Sequence, residues 1–256
     1  MTVVDLSLEG KTALITGSSR GIGLSIAELF AEHGAEVVLV SRKQDELDQV
    51  AEKINAAGGR AHAIAAHMGK QEDVRALVRE LAARELEVDI LVNNAGISPP
   101  NGKPLVDTTE ALWDKVMDVN LKGPFFLSAA LGKAMAERGR GGSIVNISTT
   151  SALQAQPEIG TYCISKAALN TMTRNFAREL GPAGVRVNAI SCGVIATLMG
   201  DHTLNDPERR EMFLKISPIK RAGLPEEIAR TALMLASDVT SYTTGVILQA
   251  DGGVLA

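Results

Sequence analysis

The 256-residue chain is poor in aromatic side chains: one Trp, two Tyr and five Phe make up 3% of it. Hydrophobic residues still reach 45%, so a sizeable core has to be built from Ala, Val, Leu and Ile. Cysteine is scarce, with only Cys163 and Cys192 present. Two thiols make no disulfide framework, and both are expected free, in a reducing compartment. No apolar run approaches the ~20 residues of a membrane-crossing helix. Basic residues are not in excess: 26 Lys and Arg face 30 Asp and Glu, a formal charge of −4. That balance argues against a general nucleic-acid or membrane-surface role. The opening stretch, MTVVDLSLEGKTALIT, lacks the basic-then-apolar layout of a secretory signal. The closing GGVLA carries no retention or peroxisomal signal. A soluble cytoplasmic protein is the expectation. No repeat, low-complexity tract or linker divides the chain, so residues 1–256 are expected to form one domain. No metal-ligating set is assigned.

What is present is alternation. Short apolar runs at 12–16, 36–40, 61–65, 90–92, 143–147, 186–189 and 246–249 read as strands. Helical patterns lie near 21–33, 43–57, 71–84, 109–120, 123–137, 161–180 and 225–236. Several strands are apolar on both faces, as in a parallel sheet covered on both sides. Repeated strand–helix–strand units imply right-handed crossovers and a doubly wound α/β sheet, mostly parallel and seven-stranded. The stretch 194–223 is the least patterned. Two readings of it stand: a mobile substrate lid or a plain surface excursion.

The first strand runs into TGSSRGIG, which places Gly17, Gly21 and Gly23 on a strand-to-helix turn. Glycines there let backbone amides approach a pyrophosphate, and the helix N-terminus favours the negative charge. The second strand ends at Ser41 and Arg42, where a ribose-binding carboxylate would select NAD; Arg20 lies within the glycine turn. Two cations without an acid suit the 2′-phosphate of NADP. Asn93, Asn94, Ala95 and Gly96 follow the fourth strand, where they can pack beside an adenosine ribose and tie the strand end down.

Tyr162 and Lys166 are four apart on a helical segment, so they share a face. A cation beside a phenol favours phenolate and is expected to lower the Tyr pKa. That makes Tyr162 a candidate general acid/base at an oxygen.

These motifs, together with Asn120 in MDVNLKGPFF, the strand SIVNIS, RVNAI, GVIAT at 193–197 and a C-terminal TTGVILQADGG, stand in one order along nearly the whole chain. With them the sequence resembles the short-chain dehydrogenase/reductase family. The resemblance implies a Rossmann-type domain with helices on both faces, an NADP(H) cofactor and a small-molecule carbonyl or alcohol substrate. It implies Tyr162 as acid/base, Lys166 lowering its pKa and holding the nicotinamide ribose, and Asn120 positioning a water. It extends the cofactor contacts to Ser19, Ile22, His67, Met68, Gly193, Val194, Ile195 and Thr197, and it implies a homotetramer built through helices 109–137 and 161–180 and the C-terminal region. His67, in AAHMGKQEDV, stands where many relatives have an acid near the adenine. With SRKQ it looks like the NADP-dependent carbonyl and retinal reductases; an exposed loop histidine is the other reading.

Two positions depart from the family pattern. Thr149 stands thirteen residues before Tyr162, where the family has a serine that bonds the substrate oxygen. Ser148 precedes it, on the opposite side of the strand. Cys192 replaces the usual proline before Gly193. The expected activity is NADPH-dependent reduction of a ketone or aldehyde, reversible from the alcohol. The alternatives are a 3-oxoacyl-thioester reductase and a weakly catalytic dinucleotide-binding protein, the second because of Thr149. The substrate pocket is expected from 98–105, 152–159 and 194–223, partly apolar and without a committed charge partner.

Overall fold

In the first strand, β1 (Thr12–Thr16), every residue is buried, and its side chains alternate between two cores. Ala13 and Ile15 face one side of the sheet, and Leu14 faces the other. The same two-sided burial recurs in β2 (Glu36–Ser41), β4 (Ile90–Asn93), β5 (Gly142–Thr149) and β6 (Val185–Cys192). Only a parallel sheet covered on both faces hides strands this way. The computed structural model describes residues 5–99 and 104–256. With β3 (Arg60–Ala65) and β7 (Ile247–Ala250), its seven strands are all parallel, in the order β3-β2-β1-β4-β5-β6-β7.

One face is covered by α1 (Gly21–Glu32), α2 (Gln44–Ala56) and α9 (Pro225–Ala236), through Ile26, Phe30, Leu47, Ile228 and Leu233. The other is covered by α3 (Gln71–Ala83), α5 (Gly123–Arg138) and α6 (Gly160–Leu180), through Leu77, Leu127, Met135, Leu169 and Phe176. This is the doubly wound, Rossmann-type arrangement. Strand order reverses between β1 and β4, and the crevice outside their C-terminal ends is where such sheets bind ligands.

Three regions differ from the sequence expectation. The helix expected over 109–120 is α4 (Glu110–Met117), and a π-helical turn, Asp118–Lys122, joins it to α5. The wider turn is closed by Gly123 N–H bonding Asp118 O, and Gly123 itself gives room to the Met68 carbonyl. The stretch 194–223 contains α7 (Asp201–Leu204) and α8 (Pro207–Ile216). Asp206 caps α8 by accepting from the amides of Glu208 and Arg209, and Pro207 follows it at the first helical position. Strands β5 and β6 run on to Thr149 and Cys192, which carries both residues to the site.

Candidate active site

A cavity of about 850 Å³ opens at the C-terminal edge of the sheet. The residues expected to catalyse or to hold the cofactor line it except Gly23, Asn93 and Asn120, and of the pocket expected over 152–159 Gln156 and Ile159 line it. Gly23 lies beneath the turn: a Cβ there would strike the Gly17 carbonyl and the Asn94 amide. Its absence lets α1 close against the strand end. Gly17 and Gly21 have φ of 70° and 58°, backbone that favours glycine.

The residues fit a dinucleotide. The first amides of α1 open toward the cavity with no side chain capping them, which leaves donors free for a pyrophosphate. A Cβ on Gly21 would come within 3.3 Å of the Thr197 methyl, so Thr197 lies over the turn. Asn94 Nδ2 donates to Thr16 O at 2.9 Å and Gly17 O at 3.2 Å. The Thr16 hydroxyl accepts from the amides of Asn94 and Ala95, both at 3.0 Å. These bonds lock the end of β4 to the glycine turn. Arg20 and Arg42 are exposed on the cavity wall, and His67 and Met68 line it with them. His67 Nδ1 accepts from Gly69 N at 3.0 Å. The expectation of cations without an acid is corrected: Glu46, in the first turn of α2, also lines this end. Lys43 holds it at 2.6 Å, so three cations still stand against one carboxylate.

At the other end, Tyr162 and Lys166 are both buried on α6. Lys166 Nζ donates to Ile147 O at 2.7 Å and lies 6.0 Å from the phenol ring centre. The expectation that Lys166 lowers the Tyr162 pKa is not met in this structure. Burial pushes the phenol up, and Cys192 adds to it; the Thr149 hydroxyl works the other way, and Cys163 raises it further. Burial also lowers Lys166 to about 8, against a smaller opposing effect of Cys192. Burial raises Cys192 to about 12, so it is a protonated thiol. Asn120 sits in the π-helical turn, fully buried. Its Oδ1 accepts from Ile97 N at 2.8 Å, and its Nδ2 donates to Ile97 O and Ser165 Oγ. A Cβ on Gly96 would be 3.5 Å from both Asn120 Oδ1 and Lys166 Nζ, so Gly96 lies at the junction of the two.

Thr149 lines the cavity, as does Ser148. The Thr149 hydroxyl accepts from Ser151 N at 3.3 Å and donates to Ser151 Oγ at 3.4 Å. Ser151 in turn donates to Gln156 Oε1 at 2.9 Å. Ser151 and Gln156 carry no periodic signal in the sequence. Arg209 and His202 also line the substrate end, where the expectation was a partly apolar pocket without a committed charge partner. Arg209 is tied to Glu158 at 2.9 Å and to His202 Nε2 at 2.7 Å. Of the pocket expected over 98–105, residues 100–103 lie outside the described residues.

A buried phenol, a buried lysine and a hydroxyl at the end of a dinucleotide-shaped crevice define a class. The family model described as enoyl-(acyl carrier protein) reductase matches residues 17–255. Dehydrogenase/reductase SDR family member 4 of Bos taurus is 41% identical over 248 residues, covering 97% of this chain and 88% of the relative. An NAD-dependent glycerol dehydrogenase of Listeria innocua is 39% identical, over 97% of this chain and 95% of the relative. The structure of a gluconate 5-dehydrogenase from Burkholderia cenocepacia, in complex with NADP and tartrate, superposes with a TM-score of 0.93 at 32% identity. It covers 98% of this chain and 97% of that one. The chain belongs to the short-chain dehydrogenase/reductase family. It is a dinucleotide-binding oxidoreductase that interconverts a carbonyl and an alcohol, and the non-catalytic alternative is not favoured. Among the described residues no helix is long and apolar enough to cross a membrane.

Proposed function

We propose that the protein is an NADPH-dependent reductase of a ketone or aldehyde, with Tyr162 as general acid/base. One observation carries this: Tyr162, Lys166 and Thr149 line one end of a single cavity whose other end presents Arg20 and Arg42. The dinucleotide supplies the hydride. Tyr162 gives its proton to the substrate oxygen, and the Thr149 hydroxyl donates a hydrogen bond to that oxygen as charge develops. Lys166 contributes a positive charge beside the phenol. Asn120 holds segment 96–97 against α6 and so keeps Lys166 in place. Arg20, Arg42 and Lys43 favour a 2′-phosphate and outweigh Glu46.

The segment 194–223 acts as a substrate lid. It leaves and returns at one point, where Ile195 pairs with Gly223 and Gly223 N bonds Val194 O at 3.0 Å. Its inner wall combines Met212 and Phe213 with Arg209. The working assembly is a homotetramer in the cytoplasm. Trp113, Phe125, Phe126 and Ile164 are exposed on α4, α5 and α6, the surfaces such an assembly would cover. Light scattering that gives a monomer removes the assembly.

Purified protein incubated with NADPH and a panel of ketones, aldehydes, quinones, acyl thioesters and sugars tests the activity. Consumption of NADPH that disappears in Tyr162→Phe is the expected result. Turnover that survives this substitution refutes the role of Tyr162.

A further inference from the structure

Of the two acids in the first turn of α2, Asp45 and Glu46, only Glu46 lines the active-site cavity. An acid in a first turn favours the helix dipole, and Asp45 meets that need without reaching the cavity. Gln44 fixes the turn in place. Its Oε1 accepts from Ala65 N at 2.9 Å, and its Nε2 donates to Ala63 O at 3.3 Å. Glu46 therefore stands on backbone tied to β3. Around it the cavity wall carries Ser19, Arg20, Ser41, Arg42 and Lys43. Lys43 Nζ donates to Glu46 Oε1 at 2.6 Å. That bond holds the carboxyl below its ordinary range; burial opposes it weakly, and the charges of Lys43 and Arg20 and the Ser19 hydroxyl add to it. Glu46 is thus an anion at neutral pH, set among three cations. Lys43 takes one of the roughly four acceptor positions of the carboxylate, so capacity remains for a further donor.

The two nicotinamide dinucleotides differ at one group on the adenosine ribose, a 2′-hydroxyl or a 2′-phosphate. A hydroxyl has a proton to donate, and Arg20, Arg42 and Lys43 have no atom that accepts it. A carboxylate is the partner that dinucleotide folds give this hydroxyl. The end of β2 carries Ser41 and Arg42 in place of an acid, so the only carboxylate on this wall comes from α2. A phosphate offers acceptors alone and carries a charge of about −1.5 to −2. Glu46 opposes it in two ways, by repulsion and by engaging Lys43.

We propose that Glu46 is a specificity-determining residue that admits NADH beside NADPH: its carboxylate accepts the ribose 2′-hydroxyl of NADH and opposes the 2′-phosphate of NADPH. The inference rests on the reading of this end of the cavity as the seat of the adenosine ribose, given above. Arg20 and Arg42 set the preference for the phosphate, and Glu46 limits how large that preference becomes. Its side chain is 41% exposed, so salt screens the repulsion.

Isothermal titration calorimetry of the protein with NADPH and with NADH tests this, without recourse to turnover. Wild type is expected to bind both, NADPH the tighter. Glu46→Gln removes the charge and keeps a carbonyl acceptor. It is expected to lower the Kd for NADPH about fivefold and to raise that for NADH about fivefold. The gain for NADPH should shrink in about 0.5 M salt. Glu46→Ala also removes the acceptor, and its Kd for NADH should rise about tenfold; it serves alone should Gln fail to fold. A lowered Tm with both constants moved by one factor marks Glu46 as a support of α2 and overturns the proposal. Arg42→Ala separates the two readings. If it weakens both dinucleotides equally, the reading of the phosphate site fails. If it weakens NADPH alone while Glu46→Gln leaves the ratio of the two constants unchanged, only the role of Glu46 fails.

Discussion

Thr149 and Cys192 are register partners on adjacent parallel strands, β5 and β6, and both line the cavity that holds Tyr162. The two positions at which this chain departs from its family are thus neighbours in space. Cys192 makes the surroundings of the phenol less hospitable to charge, and the Thr149 hydroxyl works in the opposite direction. The Thr149 role follows from this opposition. Thr149→Ser keeps the hydroxyl and is expected to change turnover only a few-fold. Thr149→Val keeps the shape without it and is expected to lower kcat by ~10²–10³. Steady-state kinetics on both variants decides the matter, and a harmless Val would remove Thr149 from the mechanism.

Cofactor choice rests on charges at the far end of the cavity. Arg42→Ala is expected to raise the KM for NADPH about tenfold or more while leaving that for NADH nearly unchanged, because a charge-assisted pair to a 2′-phosphate is lost. An equal effect on both dinucleotides would show that Arg42 does not read the phosphate.

Lys166 is buried as a cation with one carbonyl partner, and burial lowers its pKa from 10.5 to about 8. The folded state therefore sheds the proton before the unfolded chain does. Below about pH 8 the protein carries the full penalty; between about 8 and 10.5 the unfolded state binds more protons, and stability rises with pH from this group. Lys166→Met is expected to raise the Tm of the dinucleotide-free protein at pH 7, by a free energy on the order of 3 kcal/mol. The gain should shrink as pH rises toward 10. Thermal melts across this range measure it, and a gain that grows with pH would contradict the assignment.

Thr16 Oγ1 accepts from two backbone amides and donates to Val92 O at 3.3 Å. Thr16→Val preserves the volume and leaves those amides unpartnered. A loss of about 2–4 kcal/mol is expected, together with weaker dinucleotide binding, because the glycine turn loses its anchor. Denaturant melts and a binding titration check both parts.

Segment 194–223, the proposed lid, is held to the loop before α6 by the Arg209–Glu158 pair. Glu158 makes this pair from a backbone φ of 71°, a conformation uncommon for a non-glycine residue. Arg209→Ala is expected to raise the KM for the carbonyl substrate several-fold with dinucleotide affinity unchanged. If both affinities move together, the pair supports the fold rather than the lid.

Much of this was legible along the chain. Strands apolar on both faces, alternating with helices, made the doubly wound and mostly parallel sheet legible, while the strand order came from the tertiary structure. Gly17 and Gly21 announced an anion-binding turn because few other residues tolerate such backbone, and Gly23 because a Cβ there has no room. Tyr162 and Lys166 were legible through helical spacing. The helix over 207–216 was not legible, because its charged sequence has no apolar period to support the start signal of Asp206 and Pro207.

Local sequence therefore determined the strand and helix types, the glycine turn and the facing pair on α6, since each depends on short-range sterics and periodicity. Tertiary structure decided what depends on burial and on residues far apart in the chain. It set the sign of the Tyr162 shift, because burial desolvates the phenol and outweighs the Thr149 hydroxyl. It brought Glu46 among the arginines, joined Arg209 to Glu158 across 51 positions, and linked Asn93, Asn146 and Thr173 into one buried hydrogen-bonded chain. Nothing in the order of those residues announces a neighbourhood that only the packing of α6 on the sheet creates.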